Sequence, residues 1–230
     1  KALVQAAKDS GIRLTILRTV YLHGGFKQPL EAHQKRFADR DIDKAIEELA
    51  KLKIFCVQAN DSKIDWGFAG HSVRAMRLEE LEALCDVFPD QPFHMHVSEQ
   101  PREVEDSLKH HGYTPIALLD SAGLLDTRTT LVHATHASSE EIDILVRCGT
   151  GVCLCPGTEA DLGDGLGPVS EFYRAAIPMS LGTDGQTHSS LFAEARRLEM
   201  HERLNKQQRN ILADSGERVA PYCHQAATMH

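Results

Sequence analysis

The chain has 230 residues, 33 acidic and 25 basic side chains, and a formal net charge of −8. We expect no binding of nucleic acid, because a phosphate backbone attracts proteins with an excess of Lys and Arg. We expect no membrane association either, since no apolar run approaches the roughly 20 residues of a spanning helix. The six cysteines form no C-x-x-C pair and no disulfide framework, which favours free thiols and a cytoplasmic location.

The sequence predicts a regular alternation of strands and helices. Short runs rich in β-branched residues indicate strands, and apolar residues at helical spacing indicate helices. The predicted strands cover residues 14–20, 65–70, 93–97, 129–133, 151–155 and 178–182. The predicted helices cover residues 1–9, 42–52, 75–87, 102–110, 139–147 and 168–176, with two more from Ser190 and Arg218. Pro101 suits a first helical turn, and Ser138 with Glu141 has the spacing of a capping box.

This alternation predicts an α/β fold with a parallel sheet and right-handed crossovers. Periodicity alone is compatible with a doubly wound open sheet and with a closed TIM-type (β/α)8 barrel. Polar residues favour the barrel, because five of them end or follow different strands and the strand ends of a barrel meet at one mouth. These residues are His23, His71, His96, His133 and Asp184.

Six predicted strands do not close an eight-stranded barrel. We therefore expect residues 1–230 to be a segment with about six of the eight β/α units, without the first two strands and a companion β-domain. A complete six-unit protein is the alternative, but it would expose a sheet edge that promotes aggregation.

The chain has 13 histidines, and the most informative motif contains two of them. His94 and His96 point to the same face of a predicted strand, and Glu99 follows just after the strand ends. A histidine and a glutamate at this spacing can supply one metal ligand and one proton-transferring carboxylate near the same water. Taken alone, the two histidines could also be core side chains.

Two further strand ends strengthen the metal interpretation. A strand that ends in His133 is unusual, since histidine is a weak strand former and is costly to bury unsatisfied. Another apolar strand leads to Asp184, followed by a glycine. A single aspartate there would be typical of a turn or a helix cap. Three polar strand ends in one chain indicate a metal-dependent active site.

This order of motifs resembles the amidohydrolase superfamily in its aminohydrolase, or deaminase, branch. Within that branch the chain resembles the bacterial formimidoylglutamate deiminases more than the other members. The similar segments span nearly the whole chain and cover residues 21–26, 34–37, 71–75, 94–100, 131–136, 158–165 and 196–199.

The resemblance implies a metal-dependent hydrolase barrel with one divalent metal, Zn²⁺ or another such as Fe²⁺. It implies that His96 and Asp184 are metal ligands and that Asp184 also accepts a proton from the attacking water. Glu99 would carry protons to the departing nitrogen, and His133 would orient the water. The family's other two ligands form an H-x-H motif on a first barrel strand, which this chain lacks.

The resemblance also implies the reaction, which is hydrolysis of N-formimino-L-glutamate to N-formyl-L-glutamate and ammonia in histidine breakdown. His71 and Arg74 would contact this carboxylate-bearing substrate. An arginine suits a carboxylate because its planar fork makes two charge-assisted hydrogen bonds. The alternative for Arg74 is an ion pair with a helix acid such as Glu79. We expect a homodimer for the full-length protein.

Two other functions stay open. One is deamination of another amidine-like compound, such as guanine or an adenosine-type nucleoside, against which Arg74 argues. The other is a non-catalytic scaffold, which would have no need of the four predicted metal and proton-transfer residues. Two positions also depart from the family pattern: Gln186, with His188 nearby, stands where a histidine is frequent, and Asp161 stands where asparagine is usual.

Overall fold

The computed structural model describes residues 1–185, 187 and 189–228. The chain divides into two compact units, the first from Lys1 to Met95 and the second beginning at His96. The strands are β1 (Leu14–Val20), β2 (Ile64–Gly70), β3 (Phe93–Val97), β4 (Thr129–His133), β5 (Gly151–Leu154) and β6 (Met179–Leu181). The helices are α1 (Ala2–Ser10), α2 (Ile42–Ala59), α3 (Leu78–Val87), α4 (Pro101–His111), α5 (Pro115–Ser121), α6 (Ser139–Cys148), α7 (Pro156–Leu162), α8 (Val169–Arg174), α9 (Leu191–Lys206) and α10 (Val219–Thr228).

The six strands are hydrogen-bonded in chain order from β1 to β6. Strand β1 pairs with β2 in parallel along its whole length, and β4, β5 and β6 pair in parallel as well. A doubly wound sheet requires a reversal of strand order, and the six described strands contain none. The order is that of a singly wound sheet, as the polar strand ends predicted.

In the first unit, strand β2 is buried on both faces, as expected for a parallel strand covered by helices. Its aromatic side chains form the core with Phe88 and Phe93; Phe68 stacks on Phe93 with ring centroids 5.2 Å apart. Gly67 allows close approach of the neighbouring chain, because a Cβ there would lie 2.6 Å from the carbonyl oxygen of Pro92. A larger residue at this position would force β2 away from the backbone at Pro92.

In the second unit, strands β4 to β6 alternate between fully and partly buried residues. The fully buried set forms the core with Phe172, which is completely inaccessible. Helix α6 begins with the predicted capping box, in which Ser138 and Glu141 each accept a backbone hydrogen bond from the other. Helix α4 begins at Pro101, also as predicted.

The sequence prediction differs from the structure in helix length and number. Helix α2 continues to Ala59, seven residues beyond its predicted end, and stops where Asn60 adopts a left-handed conformation. Helices α5 and α7 were not predicted. Each has only seven residues, so neither is long enough to show a clear apolar period.

Helix α9 carries three buried glutamates that accept hydrogen bonds from backbone N–H groups elsewhere in the second unit. Glu194 accepts a hydrogen bond from the N–H of Gly157 in α7, and Glu202 accepts one from Ser170 in α8. Glu199 accepts two, from the N–H groups of residues 211 and 212. All three are at most 5% exposed. Helix α9 therefore satisfies backbone donors that would otherwise be buried without partners.

No helix in the described part of the chain is long and apolar enough to cross a membrane.

Candidate active site

Four of the predicted site residues meet in the second unit, with a fifth that was not predicted. The reaction cluster consists of His96, Glu99, His133, Glu159 and Asp184. His96 lies in β3, His133 is the last residue of β4, and the carboxylates follow β3, β5 and β6. His96 and His133 stack with ring centroids 5.6 Å apart. The carboxyl ends of the strands thus bring together residues far apart in sequence, as their pattern predicted.

His133 is the centre of this cluster. Its side chain is 1% exposed, and its Nε2 lies 3.8 Å from Oε1 of Glu99 and 4.0 Å from Oδ2 of Asp184. Its Nδ1 lies 3.2 Å from Oε1 of Glu159. Burial is the largest influence on the pKa of His133 and lowers it, but Glu159, Glu99 and Asp184 together raise the pKa above its ordinary value. One buried imidazole is therefore surrounded by three carboxylates.

The backbone at these strand ends adopts left-handed conformations that favour glycine, yet none of the residues is glycine. The φ angles are 49° at Ser98, 71° at His133, 49° at Ala134 and 38° at Asp184. Such conformations cost a non-glycine residue about 1–2 kcal/mol, and they concentrate at functional sites. The hydroxyl of Ser98 is also buried without a hydrogen-bond partner among the described residues.

Two thiols border the reaction cluster. Cys153 and Cys155 both approach Gly182, where an added Cβ would lie 3.2 and 2.9 Å from their sulfur atoms. The hydrogen bond to Cys153, together with burial, raises the pKa of the Cys155 thiol. Cys155 is therefore a protonated packing group, and all six cysteines are free thiols, as predicted.

The predicted substrate residues His71 and Arg74 belong to the first unit, where Tyr21 joins them. The tyrosine ring packs edge-on against His71 with centroids 4.6 Å apart, and its hydroxyl accepts a hydrogen bond from Nε2 of Gln34 at 2.9 Å. Burial raises the pKa of Tyr21, and the charge of Arg74 opposes this rise. We call Tyr21, Gln34, His71 and Arg74 the arginine cluster. Tyr21 and Gln34 were not assigned a role from the sequence, because they lie in an irregular loop without periodicity.

His23, also predicted at a strand end, bonds instead to a helix. Its Nε2 lies 2.8 and 3.0 Å from the two carboxylate oxygens of Glu80 in α3. Glu80 also accepts a hydrogen bond from the N–H of Arg77 at the start of that helix. His23 therefore attaches the loop after β1 to α3 within the first unit.

Of the positions that depart from the family pattern, the structure describes only Asp161. Gln186 and His188 lie outside the described residues. Asp161 accepts a hydrogen bond from the hydroxyl of Thr187 at 2.9 Å.

Two residues of the reaction cluster carry donor atoms of the kind that Zn²⁺ accepts. Among the described residues, no group of three or more His, Cys, Asp and Glu side chains is arranged to hold a metal ion. The predicted ligands His96 and Asp184 offer one nitrogen and one oxygen, which are donors that Zn²⁺ accepts, whereas a tetrahedral shell needs four ligands. The described residues thus suit two positions of such a shell.

Comparison with known proteins assigns the class. The sequence matches the amidohydrolase family over residues 1–229. The chain belongs to this family, as the order of its strand-end motifs indicated.

Individual relatives within that class act on different compounds. The chain is 35% identical over 210 residues to formimidoylglutamate deiminase of Pseudomonas aeruginosa, covering 90% of this chain and 46% of that protein. It is 31% identical over 202 residues to 5-methylthioadenosine/S-adenosylhomocysteine deaminase of Haloarcula marismortui, covering 84% and 43%. The chain thus spans about half the length of the curated relatives that it matches.

Solved structures agree on the fold. An amidohydrolase from Brucella melitensis superposes with a TM-score of 0.91 at 32% identity, over 98% of this chain and 50% of that one. A zinc-bound adenosine deaminase from Xanthomonas campestris superposes with a TM-score of 0.73 at 22% identity, over 88% and 44%. The predicted fold class, part of a TIM-type α/β barrel, is confirmed.

Proposed function

We propose that the protein containing this chain hydrolyses N-formimino-L-glutamate to N-formyl-L-glutamate and ammonia, with a divalent metal as cofactor. The observation that carries the proposal is the buried imidazole of His133 between the carboxylates of Glu99, Glu159 and Asp184. The similarity to the Pseudomonas deiminase supports the choice of substrate.

The reaction replaces the C=N bond of a formimino group by C=O, so protons must move from water to the departing nitrogen. Bound Zn²⁺ would lower the pKa of the attacking water, and His96 and Asp184 are the residues of this chain that would hold the ion. Asp184 accepts a proton from that water. Glu99 delivers protons to the nitrogen, which leaves as ammonia. His133, at 3.8 and 4.0 Å from these carboxylates, orients the water.

The arginine cluster supplies the expected selectivity. N-formimino-L-glutamate carries two carboxylates, and the planar guanidinium of Arg74 can make two parallel hydrogen bonds to one of them. The Tyr21 hydroxyl is a further donor beside it. The second candidate, deamination of an adenosine-type compound, is favoured by the identity to the Haloarcula deaminase, but 5-methylthioadenosine has no carboxylate to pair with Arg74.

The test of substrate is ammonia release by the purified full-length protein supplied with N-formimino-L-glutamate, guanine or 5-methylthioadenosine. We expect turnover of the formimino acid alone. In Arg74→Met, kcat/KM should fall about 100-fold, corresponding to the loss of a charge-assisted contact of about 2–3 kcal/mol. Arg102→Met is the matched control, since that arginine is 88% exposed on α4. Turnover of a purine, unchanged in Arg74→Met, would contradict this assignment.

The test of chemistry is the Asp184→Asn variant together with metal analysis. We expect a fall in kcat of about 1,000-fold or more, because asparagine cannot accept the proton, and stoichiometric metal in the wild-type protein. Treatment with a chelator should abolish ammonia release, and added Zn²⁺ should restore it. A full-length protein that purifies without metal and binds none would favour the non-catalytic scaffold.

A further inference from the structure

Glu159 is a buried carboxylate in the first turn of α7, directly after strand β5. It is 8% exposed. One of its oxygens, Oε1, accepts a hydrogen bond from the N–H of Cys155 at 2.8 Å and also lies 3.2 Å from Nδ1 of His133. A single oxygen atom therefore connects the start of the helix to the imidazole at the centre of the reaction cluster.

The contact determines which nitrogen of His133 carries hydrogen. The N–H of Cys155 can only donate, so Oε1 of Glu159 acts as an acceptor. An acceptor beside Nδ1 favours the form of the ring with hydrogen on Nδ1. A neutral imidazole has one N–H, so Nε2 then keeps its lone pair. Nε2 is the nitrogen that faces Glu99 and Asp184.

We propose that Glu159 is a positioning residue that holds His133 in the Nδ1–H tautomer, so that Nε2 accepts a hydrogen bond from the attacking water. The inference rests on the proposed function and adds a residue to it. Carboxylates that fix the tautomer of metal-ligating histidines typically contribute a factor of about 10–100 to metal affinity or activity, and we expect a similar factor for the water-orienting His133.

A purely structural role for Glu159 makes a different prediction. If the carboxylate only satisfied the N–H of Cys155, its loss would weaken the fold and leave His133 unaffected. Glu202 is the matched control, because it is a buried glutamate that accepts from the N–H of Ser170 at the start of α8 and has no described contact with the reaction cluster.

Three variants separate these roles. Glu159→Gln retains an oxygen that can replace Oε1 in both contacts, whereas Glu159→Leu removes both. Glu202→Leu removes only a helix-start acceptor. We expect kcat for the formimino acid to fall about 10–100-fold in Glu159→Leu with KM nearly unchanged. It should be restored to within a few-fold in Glu159→Gln and remain at the wild-type value in Glu202→Leu.

The direct readout is ¹⁵N NMR of histidine-labelled full-length protein, in metal-free and zinc-loaded forms, with His133 assigned by loss of its signals in His133→Gln. In spectra recorded at alkaline pH, where the imidazole is neutral despite its raised pKa, we expect a proton on Nδ1 and none on Nε2 in wild type and Glu159→Gln, and a proton moved to Nε2 in Glu159→Leu. An unchanged tautomer and unchanged kcat in Glu159→Leu would overturn the inference, as would a proton on Nε2 in wild type.

These measurements distinguish a wrong assignment of the reaction from a wrong assignment of Glu159. If the protein releases no ammonia from any of the three substrates, the proposed function fails, and the NMR signals still show whether Glu159 determines the tautomer. If the formimino acid is turned over and the tautomer does not depend on Glu159, the positioning role alone fails.

Discussion

Helices α2 and α9 both carry glutamates that pair with basic residues of the same helix, but in the described part of the chain only those of α9 also bond to other segments. On α2, Glu47 and Glu48 bond to Lys44 and Lys51 at 2.6 to 3.0 Å on the surface. On α9, the glutamates are buried and accept hydrogen bonds from backbone N–H groups of other segments. The same side chain thus connects neighbouring turns of one helix in the first unit and separate segments of the chain in the second.

A carboxylate contributes more to stability where it is buried among backbone donors than where it pairs with lysines on the surface. An exposed ion pair replaces hydration by an attraction that water and salt weaken, so its net contribution is small. A buried carboxylate that accepts backbone hydrogen bonds leaves those donors unsatisfied when it is removed, at about 1–3 kcal/mol for each group. Substitutions on the two helices measure this contrast directly.

The largest effect is expected for Glu199→Ala. This change removes the acceptor of two backbone N–H groups, at residues 211 and 212, and the partner of Arg203. We expect a loss of about 3 kcal/mol in the free energy of unfolding, measured by urea denaturation. Glu199→Gln should recover part of the loss, because it retains one acceptor oxygen. A loss below that of a surface variant would contradict the contrast.

A smaller effect is expected for Glu202→Ala. Glu202 accepts a single backbone hydrogen bond, from Ser170 at 3.2 Å. The expected loss is about 2 kcal/mol by the same measurement. If it equalled the loss in Glu199→Ala, the number of satisfied donors would not be the controlling quantity.

The smallest effect on unfolding is expected for Glu47→Gln on α2. Both of its lysine partners are exposed, so the urea midpoint should stay within experimental error of the wild-type value. A clear decrease would show that the surface network acts cooperatively.

The pKa of Glu47 gives a second measure of how weakly an exposed ion pair acts. Hydrogen bonds from Lys51 and Lys44 lower the pKa of Glu47. A carboxyl whose pKa falls on folding stabilises the protein above its unfolded pKa and loses that contribution as the pH falls through the folded value. A ¹³C titration of the side-chain carboxyl should therefore have its midpoint below that of a free glutamate, by a small amount because the lysine pairs are exposed. About 1 M salt should move the midpoint towards that of a free glutamate, since salt screens exposed charges.

The residues of the reaction cluster that could be predicted from the sequence are those that end apolar runs. His133 and Asp184 stand out because a polar residue interrupts a strand pattern, and His96 because it shares a face with His94. Their convergence followed from the geometry of parallel strands. The predicted strand bounds agree with the observed ones to within two residues, because each apolar run ends abruptly.

Glu159 could not be predicted in the same way. It lies in a seven-residue helix with no apolar period, and its contact with His133 depends on how that helix packs. The pattern of Pro156 followed by a glutamate three residues later is a weak signal, since an acid in the first turn is common in any helix. The contacts of Tyr21 could not be predicted for a related reason. Its loop shows no periodic pattern, and its hydrogen bond with Gln34 depends on how that loop folds.

The left-handed backbone at Ser98 makes this position a favourable site for a stabilising substitution. Glycine at this position would relieve the conformational penalty and remove a buried hydroxyl that has no described partner. A library screened for heat resistance should therefore enrich Ser98→Gly early. The turnover of the recovered variant would then show whether the serine serves the reaction, since stability alone favours its replacement.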